Sequence, residues 1–87
     1  MTYEYKTRGT CSKKITLEVE DNRIVSCRFE GGCQGNLAGM SEMVKGMDAD
    51  EVIKKLSGIR CGFKPTSCPD QLAKALSEMK EIQQTAE

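Results

Sequence analysis

The chain has 87 residues, with thirteen basic and thirteen acidic side chains, five cysteines, two tyrosines, two phenylalanines, and neither tryptophan nor histidine. That is one domain's length with a marginal core, the size at which a metal, a disulfide or oligomerisation contributes appreciably. Interleaved, cancelling charges leave no nucleic-acid or acidic-membrane footprint. The missing histidine excludes imidazole bases, Cys-His dyads and mixed Cys/His zinc sites built from this chain alone.

Met1 to Lys6 contains no apolar leader, and no apolar run approaches the roughly 18 residues of a membrane span, so the expectation is a soluble, cytoplasmic protein. Tyr3 to Thr7 reads as a short edge strand with Tyr3 and Tyr5 on one face. Arg8 to Ser12 is a loop. Lys13 to Glu20 alternates, Ile15, Leu17 and Val19 against Thr16, Glu18 and Glu20, which is the period of a half-buried strand. Glu20-Asp21-Asn22-Arg23 is a tight turn whose Asp and Asn tolerate positive φ. Ile24 to Phe29 returns as the hairpin partner, with Val25, Cys27 and Phe29 expected on one face. Cys27, between apolar neighbours inside a strand, is expected to be a small structural core thiol.

The Gly31-Gly32-Cys33-Gln34-Gly35 stretch breaks the strand, and the spacing then turns helical through Leu37, Met40 and Met43 or Val44. The methionines read as flexible core filler. Gly46 stops this helix. Asp48 and Glu51 have the spacing of an N-cap answered by a carboxylate, ahead of an apolar stripe of Val52, Ile53 and Leu56, and Gly58 suits the helix end. A last helix is expected from Ser67 or Cys68, with Pro69 in its first turn and Asp70 near the positive dipole end. It should carry Leu72, Ala73, Leu76, Met79 and Ile82 inward, and residues 83–87 should fray. Strands first and helices after predict a single α+β domain over residues 1–87, a three-stranded antiparallel sheet with about three helices on one face.

Cys11, Cys33, Cys61 and Cys68 differ from Cys27 in standing where one element hands over to the next. No two of them form a Cys-x-x-Cys pair, so the local metal signal is weak and the positional one stronger. Residues before the first strand of a hairpin and after its partner lie at the same end of the sheet, which makes Cys11 and Cys33 expected neighbours. An odd number of cysteines argues against a complete disulfide framework, and thiols at turns in a reducing compartment are more often metal ligands or reactive groups. The four are therefore candidate ligands for Zn²⁺, or for an iron–sulfur cluster. Lys13, Arg60, Lys64 and Ser67 are candidates to offset the charge of the thiolates. A closed four-thiolate zinc site leaves no open coordination position for hydrolysis, so no catalytic residue is assigned. A third reading pairs Cys61 with Cys68 as a thiol redox couple serving a reductase.

Gly58-Ile59-Arg60-Cys61 and Thr66-Ser67-Cys68-Pro69-Asp70, with Gly31-Gly32-Cys33 and the Cys11 turn, resemble the TSCPD domain family, which is named for that pentapeptide. The resemblance spans nearly the whole chain. It implies a link to ribonucleotide reductases, particularly adenosylcobalamin-dependent ones, which carry such a domain at their C-terminus, and hence to deoxyribonucleotide and DNA synthesis. This chain cannot hold the reductase barrel, nucleotide sites or radical cofactor, so the resemblance implies an accessory domain with a protein partner. A fainter similarity is to IscU/NifU-type iron–sulfur scaffolds, with Cys11, Cys33 and Cys61 or Cys68 as counterparts and an IscU-like fold implied. The scaffold's aspartate after its first cysteine is Lys13 here, and the histidine beside its late cysteine is Ser67.

Overall fold

A computed structural model describes residues 2–10, 12–32, 34–60 and 66–85, apart from the side chains of residues 34, 36 and 83–85. Three strands, β1 (Thr2–Lys6), β2 (Ser12–Glu20) and β3 (Arg23–Gly31), precede three helices, α1 (Gln34–Val44), α2 (Ala49–Leu56) and α3 (Cys68–Thr85). The sheet is antiparallel throughout, in the order β1-β2-β3. This is the expected α+β architecture.

Alternation in β2 sends Ile15, Leu17 and Val19 into the core, and the register extends each row across the sheet. Tyr5, Ile15 and Phe29 form one row and Tyr3, Leu17 and Cys27 the next. The helices close over this face with Leu37, Val44, Val52, Leu72, Leu76 and Met79. The other face is polar, and there Lys14 lies 3.4 Å from Glu4 and 3.7 Å from Glu30. The turn between β2 and β3 has Asp21 at φ 51° and Asn22 at φ 62°, the two left-handed residues of a type I′ hairpin turn.

One strand assignment changes. Val25 does not share a face with Cys27 and Phe29: it is 46% exposed, while Ile24 is 1% exposed. Glu18 pairs with Ser26 but Val19 pairs with Ile24, so Val25 is the extra residue of a β-bulge that resets the alternation. The helical period left Met43 and Val44 as alternatives, and the structure buries Val44 while leaving Met43 77% exposed. Met79 is core filler and Met40 and Met47 are partly buried against the core, while with the exposed Met43 they line a shallow apolar groove between α1 and α2 of about 210 Å³. Ile82 is 41% exposed, not inward, and α3 continues to Thr85 beyond the expected point of fraying.

Asp48 caps α2, its carboxylate accepting from Asp50 N–H at 2.9 Å and Glu51 N–H at 3.4 Å. The same segment is stitched to the hairpin: Ile24 N–H donates to Met47 O at 3.0 Å and Ala49 N–H to Asn22 O at 2.7 Å. Lys80 on α3 completes the junction, donating to Asn22 Oδ1 at 3.1 Å and Asp50 Oδ1 at 2.5 Å.

The bulge makes neighbouring residues unequal. Ile24→Ala should cost about 2–5 kcal/mol, as truncation of a fully buried aliphatic does, and Val25→Ala about 1 kcal/mol or less. Urea unfolding of the two variants checks this.

Candidate functional site

The first turn of α3 explains its sequence residue by residue. Ser67 O accepts the first helical bond from Gln71 N–H at 2.8 Å, and Ser67 Oγ accepts from Asp70 N–H at 3.1 Å, which makes Ser67 the N-cap. The Ser67 hydroxyl donates in turn to Ile59 O at 2.6 Å. Pro69 occupies a position whose N–H has no helical acceptor, so the ring costs no hydrogen bond there.

Asp70 is 5% exposed and does more than favour the helix dipole. It accepts from the Thr66 hydroxyl and, at 2.7 Å, from Gly58 N–H, with Lys74 Nζ at 3.4 Å. Burial alone would push its carboxyl up. The bonds from Thr66 and Gly58, with Lys74 beside them, outweigh burial and hold the carboxyl below the usual carboxylate range.

Thr66 is also buried, and its hydroxyl accepts from Gln71 Nε2 at 3.0 Å. Gln71 Oε1 takes Arg8 N–H at 3.0 Å, joining the loop after β1 to α3. The two loops approach so closely that a Cβ on Gly9, which has φ 75°, would come 3.1 Å from the Thr66 methyl.

Cys68 opens α3 and is partly exposed. Its Sγ lies 3.3 Å from Ser12 Oγ, and Ser12 is 4% exposed. Thr10 Oγ1 stands 3.1 Å from the same Ser12 hydroxyl, and the Thr7 hydroxyl donates to Ser12 O at 2.5 Å. Ser12 also pairs with Gly31 across the hairpin.

Cys11, Cys33, Cys61 and Lys64 lie outside the described residues. Described residues close in sequence to the three cysteines come together at one end of the sheet: Ser12 follows Cys11, Gly31 is two residues before Cys33, and Ile59 is two before Cys61. Ser12 touches Gly31 and Cys68, and Ile59 is bonded to Ser67. Among the described residues no three Cys, Asp or Glu side chains are grouped as metal ligands. Lys13 and Arg60 are exposed, and the hydroxyl proton of Ser67 is committed to Ile59 O. The sulfur's hydroxyl neighbour is Ser12, which sequence reasoning passed over. Its contact with Cys68 spans 56 positions and leaves no periodic or motif signal.

Cys27 is buried in the core, 8% exposed. Burial pushes it up to about 11, a shift only partly offset by a hydrogen bond with Ser41. Ser41 lines, with Cys27, Phe29 and Leu37, a groove of about 260 Å³ between β3 and α1.

Two outcomes follow from these environments. Asp70→Asn should lower stability by about 1.5–3 kcal/mol, the cost of weakening a buried charged acceptor, as read by chemical denaturation. Cys27 should resist iodoacetamide at pH 8 in the folded chain, as mass spectrometry would show. Because its folded value is raised, it contributes stability that is complete below the ordinary thiol value and is lost as pH rises through about 11. Cys27→Ala should remove that alkaline loss, roughly 2–3 kcal/mol at most.

No described helix is long and apolar enough to cross a membrane. No curated protein and no solved structure matches the chain. The family model for the TSCPD domain matches residues 1–80 of the 87, and the chain belongs to the TSCPD domain family.

Proposed function

We propose that the chain is a small metal-binding accessory domain in which Cys11, Cys33, Cys61 and Cys68 together hold Zn²⁺. The observation that carries this reading is the position of Ser12. It follows Cys11, pairs with Gly31 just ahead of Cys33, and lies 3.3 Å from Cys68 Sγ. Ile59, just ahead of Cys61, is fastened to the residue before Cys68. Chain neighbours of all four joint cysteines thus meet at one end of the sheet, while Cys27 is apart in the core.

The donor chemistry fits the ion. Four thiolates suit tetrahedral Zn²⁺, and their net charge of about −2 calls for hydrogen-bond donors such as the Ser12 hydroxyl beside Cys68. Bound there, zinc would supply cross-linking of the loops and no hydrolytic chemistry, because four protein ligands fill its coordination shell. The chain's own part is to hold the loop ends in reach, which the Thr66, Ser67, Asp70 and Gln71 network does without metal. Family membership supports a protein partner, and a ribonucleotide reductase, whose C-terminal domains share the motif, is the partner this reading names.

Protein purified anaerobically should carry about one zinc per chain and no visible absorption bands, measured by elemental analysis and absorption spectroscopy. Cys11→Ser, Cys33→Ser, Cys61→Ser and Cys68→Ser should each lose the metal and melt at lower temperature, while Cys27→Ser retains it. A brown protein with visible bands would establish an iron–sulfur cluster instead. Equal metal content in all five variants, or none in the wild type, would overturn the reading.

A further inference from the structure

The hydrogen-bonding pattern of the outer edge of β1 can be read. Thr7 N–H donates to Lys13 O at 3.1 Å, in the same register as the β1–β2 ladder. Hydrogen-bonded pairs alternate in an antiparallel ladder, so Tyr5/Ile15 and Tyr3/Leu17 are such pairs. Thr2, Glu4 and Lys6 therefore turn their N–H and C=O groups away from β2. No described strand pairs with that edge. At the sheet's other edge, residues 46–49 bond along the turn end of β3, including Gly46 N–H to Ile24 O at 2.7 Å.

We propose that the β1 edge is where a second copy of this chain adds its own β1, giving a continuous six-stranded sheet about a two-fold axis. Symmetry and charge select one register. Outward-facing residues must meet outward-facing residues, so the axis passes through a residue of β1. Centred on Glu4, the pairing would set two carboxylates against each other. Centred on Tyr3, it would set Glu4 against Thr2. Centred on Tyr5, it sets Glu4 opposite the partner's Lys6 and Lys6 opposite the partner's Glu4.

That third register satisfies the backbone and the side chains together. The Glu4/Lys6 pairs are hydrogen-bonded pairs, and both side chains are exposed on the polar face. Glu4, which lies opposite Thr16 and diagonally from its own Lys14, would gain the partner's Lys6 directly opposite it, extending the ion-paired run Glu30–Lys14–Glu4 across the interface. Tyr5 faces the partner's Tyr5 in the more closely spaced, non-hydrogen-bonded pair. On that side Tyr3, Tyr5, Arg8 and Glu78 line a groove of about 390 Å³ along the edge, with room for the second ring. A lysine on an edge strand usually discourages pairing. Here Glu4, two residues earlier, makes the short strand complementary to itself.

Sedimentation equilibrium over a concentration series tests the proposal. Wild-type protein should dimerise reversibly. Glu4→Lys and Lys6→Glu alone should each weaken dimerisation about tenfold, since each turns two opposite-charge pairs into two like-charge pairs. Mixing the two variants should restore the dimer as a heterodimer, and the Glu4→Lys/Lys6→Glu double variant should dimerise like wild type, with circular dichroism unchanged throughout. A wild type that stays monomeric up to its solubility limit, single variants as dimeric as wild type, or a mixture that does not recover would each overturn the proposal.

Discussion

The buried carboxylate of Asp70 is the interaction on which the candidate site depends. It accepts from the Thr66 hydroxyl beside α3 and from the Gly58 amide at the end of α2, and so draws the two borders of residues 58–66 together. A charge this far from solvent is stable only with its acceptor positions used, and here Lys74 adds a cation at its rim. From that point the network runs outward through Thr66 to Gln71 and on to the backbone of Arg8. The pentapeptide Thr66-Ser67-Cys68-Pro69-Asp70 is in this sense a folding instruction as much as a ligand motif. Four of its five residues cap, start or anchor a helix, and the fifth presents a sulfur.

That division bears on how family membership is understood. The signature pentapeptide reports a particular loop-to-helix junction, and a chain could keep the junction while its partner or metal differs. What makes the metal reading attractive in this chain is the convergence on Ser12, a residue outside the pentapeptide. The Ser12 hydroxyl is almost wholly buried, with Thr10 Oγ1 and the Cys68 sulfur as its partners.

Much of the fold was legible because its causes are local. Alternation through Ile15, Leu17 and Val19, the positive φ tolerated by Asp21 and Asn22, and the cap at Asp48 each depend on a few adjacent residues. The misjudged places depend on distant ones. Val25 faces out because a bulge is a property of two strands and not of one, and Met43 lost to Val44 because a helical period does not say which flank meets the sheet. At the site, the expectation that the last helix begins at Ser67 or Cys68 held, since Pro69 in its first turn announces it. The link from Ser12 to Cys68, like that from Arg8 to Gln71, joins polar residues more than fifty positions apart, and nothing in either segment advertises the other.

Helix α3 is fastened at two separate points. Asp70 and Gln71 hold its beginning to the loops at the cysteine end, while Lys80, ten residues and about 15 Å further along, holds it to Asn22 and Asp50 at the hairpin turn. The two fastenings share no residue. Disturbance at the cysteine end can therefore loosen the first turn of α3 and its loop contacts while the hairpin turn, α2 and the later part of α3 stay joined. Thiol oxidation or loss of a ligand there would produce a chain frayed at one end, with amide protection graded along a single helix, and not a wholly unfolded one.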